Sequence, residues 1–346
     1  MAKQREPIDF NAYGMRAPGS YLDLEDLLGT MNEAEDAARM LLAETKQSIR
    51  PEKPAAPAPE PIPEKEEKAE EKPDLDTLLK ELDELVGLEK VKENVKSLMN
   101  LVKVRKLRQE KDLPVPPMSL HLVFMGNPGT GKTTVARLIA KLYAAIGVLS
   151  KGQLVEVDRS GLVAGYVGQT AIKTGEAIQK ALGGVLFVDE AYALTPQDAG
   201  GNDFGREAVE AILKAMEDHR DDLVVIVAGY EELMEQFISS NPGLESRFNR
   251  YFLFEDYNGQ ELYEIFRKMC EKNGYAPDDE AAEAAKKLLQ DKYEQRDENF
   301  GNARDVRNLF ENVITVHSNR LASMEAPEKE DLMHVTAEDI EKASLM

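Results

Sequence analysis

An α/β domain built on a parallel five-stranded sheet, followed by a small all-helical subdomain, is the fold class this sequence predicts. Three observations predict it. Between residues 74 and 255, short apolar runs alternate with helical segments, and near-continuous apolar strands between helices belong to parallel sheets covered on both faces. Beyond residue 256 the apolar residues recur only at helical spacing. A glycine-rich loop also stands between the first apolar run and the first long helical segment, a position from which such sheets bind phosphate.

Taken in order, the first segment is 1–50, with one helical region at 22–49 carrying Leu24, Leu27, Leu28 and Met31 at helical spacing. Alone it is too small for a stable core, which leaves two readings, a partly disordered tail or a docking element. Residues 51–73 hold seven prolines, seven glutamates, four lysines and no aromatic residue. Such a stretch cannot bury enough apolar surface to offset its ordering entropy, so it reads as a disordered, extended linker. The α/β subdomain spans 74–255, with strands expected at 122–125, 154–157, 185–188, 223–228 and 251–254. The helical subdomain spans 256–346. Its helices are marked by Leu262, Ile265, Phe266 and Met269, and by Val306, Leu309, Phe310, Val313 and Ile314. Thr336 with Asp339 fits the cap of a last helix.

Composition narrows the function. The formal net charge of −21 on 346 residues makes nucleic acid an unfavourable main partner, because affinity there rests on Lys and Arg neutralising phosphates. Cys270 is the single cysteine, so no internal disulfide forms, in keeping with a reducing compartment. No apolar run approaches the 18 or so residues of a membrane span, and residues 1–7 lead into nothing like a signal peptide. The expectation is a soluble, cytoplasmic protein.

Gly126-Asn127-Pro128-Gly129-Thr130-Gly131-Lys132-Thr133 has the G-x-x-x-x-G-K-[ST] spacing of a phosphate-binding loop, followed by Thr134. The apolar run 120–125 leads into it, and Val135, Leu138, Ile139 and Leu142 lead out at helical spacing. Backbone N–H groups and a helix dipole then face the same phosphates, so the chain is expected to bind a nucleoside triphosphate. Val185-Leu186-Phe187-Val188-Asp189-Glu190 is the second signal, a buried strand ending in two carboxylates at the sheet edge where α/β proteins bind ligands. Asp189 with the Thr133 hydroxyl suits a Mg²⁺ ion, and Glu190 suits the polarisation of an attacking water. The competing reading has both acids capping a helix that starts at Ala191.

With these two signals and four more the chain resembles the AAA+ ATPases, and within them the CbxX/CfqX group, which includes stage V sporulation protein K-like proteins and red-type rubisco activases. The residues concerned are 126–134, 162–174 (LVAGYVGQTAIKT), 183–194 (GGVLFVDEAYAL), 225–230 (VIVAGY), 241–248 (NPGLESRF) and 301–307 (GNARDVR). The resemblance runs from about residue 82 to the end and leaves the first 73 unassigned. It implies a homo-oligomer, usually a hexameric ring, with ATP and Mg²⁺ held between neighbouring subunits. Val86 and Gly87 match the segment lying against adenine. Arg247 and Arg250 match arginines that reach the neighbour's site, although two surface arginines pairing with acids would look the same. Arg304 matches the sensor arginine of the lid. Helical geometry places it about 160° from Val306, pointing out of the lid core, with Arg307 at about 100°. Tyr166 and Val167, between Gly165 and Gly168, resemble a pore loop that grips a polypeptide, as against a tyrosine packed at a turn. Tyr230 stands where many AAA+ proteins carry an asparagine sensor, so which residue positions the lytic water is left open.

The sequence therefore points to a ring-forming, Mg²⁺-dependent ATPase that remodels or threads a protein client of unknown identity. Two further readings are a rubisco-activase-like remodeller and a nucleotide-gated scaffold with slow hydrolysis. A DNA-directed role ranks below these, since Arg159 and Lys173 are the nearest bases to Tyr166.

Overall fold

The computed structural model describes residues 74–166, 168–195, 204–297 and 300–346. The expectations for 1–50, for the linker 51–73 and for Val167 fall outside these residues.

Two helices come first, α1 (Leu75–Asp83) and α2 (Glu89–Glu110). The sheet region follows as β1 (Leu122–Met125), α3 (Lys132–Ala145), β2 (Leu154–Val157), α4 (Arg159–Leu162), α5 (Gln169–Ala181) and β3 (Val185–Val188). A 3₁₀ turn at Ala191–Leu194 leads to α6 (Phe204–Asp218), β4 (Val224–Gly229), α7 (Glu231–Ser239), α8 (Pro242–Arg247) and β5 (Tyr251–Leu253). The five strands form one parallel sheet in the order β2-β3-β4-β1-β5. Each strand lies where its apolar run predicts it. β4 starts one residue later than expected and continues to Gly229, because Met125 of β1 still pairs there. β5 ends one residue early, although the Phe254 N–H donates to the Met125 carbonyl at 2.7 Å and prolongs the edge.

Successive residues of a strand face opposite sides, and two cores result. On one face Phe124, Phe187, Ile226 and Phe252 pack with Val95 and Leu98 of α2 and Ile139 of α3. On the other, Val123, Leu186, Val188, Val225 and Val227 pack with Ile178, Ile212 and Phe237 from α5, α6 and α7. Both cores consist of apolar side chains with little exposure. That fixes the register of β1, whose slip by one residue would exchange its two faces.

The lid begins with α9 (Gly259–Lys272), whose N-cap Asn258 and third residue Glu261 form a capping box. It continues through β6 (Ala276–Pro277), α10 (Asp279–Glu294), α11 (Ala303–Ala322), α12 (Lys329–Met333), β7 (His334–Val335) and α13 (Ala337–Ala343). Leu262 and Phe266 meet Val306, Leu309, Phe310 and Val313 in a third core, as their periodicity predicts. Thr336 caps α13, its side chain accepting from the Asp339 N–H. The structure adds one feature to an otherwise helical lid: β6 and β7 form a parallel pair of two residues each. Two residues are too few to show an alternation.

Candidate functional site

The loop after β1 turns sharply because Gly126 and Gly129 sit at φ +144° and +73°. A Cβ on Gly126 would strike the Phe254 carbonyl, and one on Gly129 would strike the Gly301 carbonyl and crowd the Arg304 N–H. Only glycine lets the loop run this close to β5 on one side and to the start of α11 on the other. Helix α3 starts immediately at Lys132, so its free N–H groups open onto the loop. A cavity of about 310 Å³ lies there.

Pro128, Gly129, Gly131, Lys132, Thr133 and Thr134 line this cavity, together with Asp189 and Glu190 from the end of β3 and Arg304 from α11. Gly126, Gly229, Tyr230, Ala303 and Arg307 complete the wall. Asn127 and Thr130 of the expected set turn away from it. The Thr130 hydroxyl donates to the Asn127 carbonyl at 2.8 Å, and the Asn127 amide donates to Asp256 at 3.0 Å. Both therefore shape the loop rather than face the cavity.

Lys132 donates from Nζ to the carbonyls of Gly126 and Asn127, each at 2.7 Å. Burial pushes its pKa down to about 8, opposed by the negative charge of Asp189 and reinforced by Arg304. A half-desolvated ammonium bound only to carbonyls gains strongly from an incoming anion. The Thr133 hydroxyl donates to Glu156 at 3.5 Å, on β2. Since β4 separates β3 from β1, Asp189 stands two strands away from the loop, roughly 9–10 Å along the sheet. That spacing leaves room for a phosphate chain between Lys132 and the carboxylates.

Glu190 does not cap the 3₁₀ turn with its side chain; its main-chain N–H donates to Asp189 Oδ1 at 3.1 Å. It is one of four non-glycine residues at positive φ among the described residues, at +48°. Strained conformations of this kind concentrate at sites where a side chain must be aimed. Glu190 also borders a second cavity with Gly165 and Ala193, beside the loop that carries Tyr166. Tyr166 is 74 % exposed, and a Cβ added at Gly165 or Gly168 would meet nothing.

Next to the phosphate cavity lies a more apolar one of about 290 Å³, lined by Leu85, Val86, Leu88, Tyr257, Ile265 and Met269 among others. Gly129, Gly131, Thr134 and Ala303 belong to both walls. Its size and apolar lining suit a planar base. Val86 is in its wall, while Gly87, at φ +57°, packs beside Glu261 and Tyr257 instead.

Arg247 and Arg250 lie elsewhere. Arg247 ends α8 and Arg250 immediately precedes β5, so both belong to the N-terminal edge of the sheet, opposite the loop. Arg247 pairs with Glu217 at 3.2 Å and borders a cavity of about 810 Å³ with Arg105, Lys106 and Arg220. Together with burial, which is the larger cause, it holds the His121 imidazole near pKa 4. Arg250 points Nη2 at the Met118 sulfur, 3.2 Å away. Near Tyr166, Lys173 donates to the Val163 carbonyl at 3.2 Å and Arg159 to the Ala193 carbonyl, so both bases are engaged with the backbone nearby.

Four site residues escape a reading of the sequence. Arg307 joins Arg304 in the cavity wall, although its helical angle alone suggested a flank position. Tyr257 is buried, and its hydroxyl donates to the Thr130 carbonyl at 3.2 Å. Asp256 and Asn302 link the loop to the lid. Asn302 belongs to the 301–307 motif, whose arginine alone suggested a role; Asp256 and Tyr257 carry no local signal.

A phosphate loop on the first strand of a parallel sheet, paired carboxylates at the end of another strand and a helical lid bearing arginines define a P-loop nucleoside triphosphatase. Residues 122–256 match the family described as "ATPase family associated with various cellular activities (AAA)", and residues 258–345 match its AAA lid domain. The chain belongs to the AAA ATPases, and within them to the CbxX/CfqX group. It is 43% identical over 262 residues to "Stage V sporulation protein K" of Bacillus subtilis, covering 75% of this chain and 81% of that one. It is 42% identical to the chloroplastic "Ribulose bisphosphate carboxylase/oxygenase activase" of Cyanidioschyzon merolae, covering 78% and 92%. Among solved structures, the FIGL-1 AAA domain superposes with a TM-score of 0.54 at 16% identity, covering 78% of this chain and 88% of that one, a likeness of fold. Among the described residues no helix is long and apolar enough to cross a membrane.

Proposed function

We propose that this ATPase assembles into a ring, probing each nucleotide with residues of two subunits, and uses Mg²⁺-dependent ATP hydrolysis to remodel or thread a protein client, as a stage V sporulation protein K-like motor. The observation that carries the proposal is the division of the site. Lys132, Thr133, Asp189 and Glu190 gather at one edge of the sheet, while Arg247 stands at the other and cannot reach its own loop. Besides its pairing with Glu217, an arginine so placed is in a position to meet a neighbour's nucleotide, and Arg250 belongs to the same face.

The residues fit ATP. The N–H groups of the loop and of α3 face the phosphates, Lys132 and Arg304 supply positive charge, and the apolar cavity with Val86 takes the base. They also fit Mg²⁺, which keeps several waters and takes only one or two carboxylates from a protein; no cluster of three or more potential ligands among His, Cys, Asp and Glu occurs among the described residues. Asp189 and Thr133 would hold the ion, which when bound neutralises charge on the phosphoryl oxygens. Glu190 accepts a proton from the attacking water. Arg304 reports phosphate occupancy to the lid, and the partner's counterpart of Arg247 stabilises the transferring phosphoryl group. Tyr166 grips the client.

A rubisco-activase-like role is the second reading, favoured by the 42% identity to the activase. Its client would be distinguished by capture. Glu190→Gln is expected to bind ATP, migrate as a ring on size exclusion and lose ATP hydrolysis by at least 100-fold, holding the client for identification. Hydrolysis at the unsubstituted rate would remove Glu190 as the base. Arg247→Ala and Glu190→Gln subunits, each inactive alone, should regain part of the activity when mixed, because a mixed interface joins an intact Glu190 to a neighbour's intact Arg247; no recovery in mixed rings would refute the shared site.

A further inference from the structure

We infer that Asp256 is a positioning residue that, through Asn127 on one side and Asn302 on the other, transmits the state of the phosphate loop to the lid. The inference rests on the reading of Arg304 as the lid's phosphate contact and adds residues that act through it.

Asp256 lies on the connection between β5 and α9, the single stretch of chain that joins sheet and lid. Its carboxylate receives donors from both. The Asn127 amide, second in the phosphate loop, donates to Oδ1 at 3.0 Å and to Oδ2 at 3.2 Å. The Asn302 amide donates to Oδ1 at 2.8 Å. Asn302 also approaches the Pro128 carbonyl at 3.3 Å, and its Oδ1 accepts the Tyr257 N–H at 2.9 Å. The residue is fully buried and sits at φ +51°, ψ −125°, immediately before α11. The first N–H of that helix, on Ala303, donates to the Gly129 carbonyl at 3.2 Å.

The chemistry of this cluster is selective. Two side-chain NH₂ groups converge on one carboxylate, with Arg296 Nε 3.9 Å from its Oδ2; an amide in its place would keep one acceptor but turn its own NH₂ toward a donor. The cluster is also linked to the phosphate position. The main chain of Asn127, whose side chain holds Asp256, accepts the hydrogen bond of Lys132. Phosphate that draws Lys132 off the Gly126 and Asn127 carbonyls loosens the peptide whose side chain Asp256 grips. On the far side, any movement of Asn302 reaches Arg304 two residues later, within the first turn of α11. A polar chain with every donor used is stiff enough to carry such a displacement.

Asn302→Gly loses the amide, and glycine adopts φ +51° without strain. Asp256→Leu keeps the approximate size and loses both acceptors. Hydrogen exchange on the full chain, with and without ADP, reads transmission directly. In the unsubstituted protein ADP should slow exchange both at 126–134 and at 300–307. In either variant, with ADP raised until the loop is protected to the same degree, the ADP-induced protection at 300–307 should fall at least threefold, measured against the same variant without ADP so that a general loss of stability cancels. Asn302→Gly also takes the acceptor from the buried Tyr257 N–H and lowers the melting temperature. Equal protection of 300–307 in both variants would overturn the relay. Loss of loop protection at every ADP concentration would overturn it too, by placing the three residues in the binding site itself. Arg304→Ala tests the underlying reading separately: unchanged turnover there removes the sensor role of Arg304 but leaves the exchange result to stand or fall alone.

Discussion

Lys132 shows how one side chain carries a function through its surroundings. Its ammonium is held between two main-chain carbonyls, with burial lowering its pKa from 10.5 to about 8. Phosphate binding favours the charged form and restores the higher value. Below pH 8 the lysine is already protonated and ADP affinity should be flat. Between pH 8 and about 10.5 binding must take up a proton, so the Kd for a fluorescent ADP should rise, approaching tenfold per pH unit. The sign for folding without nucleotide is opposite. The folded lysine binds its proton less tightly than the unfolded one, so its contribution to stability grows as pH rises through the same window. A Kd that stays level from pH 7 to 9.5 would show that Lys132 is not desolvated in the empty site.

At the level of elements, β1, β3 and β4 were legible because each is a short apolar run buried on both faces, and the half-exposed edge strands β2 and β5 because their runs remain mostly apolar. The loop glycines and the β3 carboxylates were legible for a different reason: phosphate chemistry demands a fixed spacing. What the sequence could not disclose is long-range pairing. Asp256 and Asn302 are 46 residues apart and Asn127 and Asp256 are 129 apart, and nothing local to any of them marks a partner. Nor could it show that Glu190 takes a positive φ, or that a two-residue strand pair closes the lid. The Tyr166 loop carries an expectation of its own. Because the ring is exposed and its flanking glycines meet no neighbour, Tyr166→Ala should leave the melting temperature and basal ATPase rate within error. In the proposed motor it should abolish client-dependent stimulation. Full stimulation of the variant would end the threading model.

For the whole molecule, the arrangement sets two edges of one sheet against each other. The loop and carboxylates occupy one, Arg247 the other, and the lid hangs from the first through Gly129, Tyr257 and the Asp256 cluster. In the proposed ring, a subunit built this way holds its nucleotide between its own lid and the next subunit. Against a net charge of −21, the arginines near the two cavities supply local positive charge. They are therefore conspicuous to any phosphate that approaches.

The strand order has a consequence for synthesis. β1, which carries the phosphate loop, is the first strand made, yet its neighbours in the sheet are β4 and β5, whose partners for Leu122 and Val123 are Ile226 and Tyr251. Pairings this distant in sequence form late, because loop closure must precede them. While the ribosome adds more than a hundred residues, a strand as apolar as LVFM waits without either partner, open to aggregation and to chaperones. Nascent chains arrested before residue 224 should accordingly be resistant to capture on immobilised ATP and sensitive to protease within β1, and both properties should reverse only once residue 256 has cleared the exit tunnel. Retention of the shorter chains would mean that the loop folds on its own strand. The part of the molecule that binds nucleotide is thus among the first to be translated and among the last to become native.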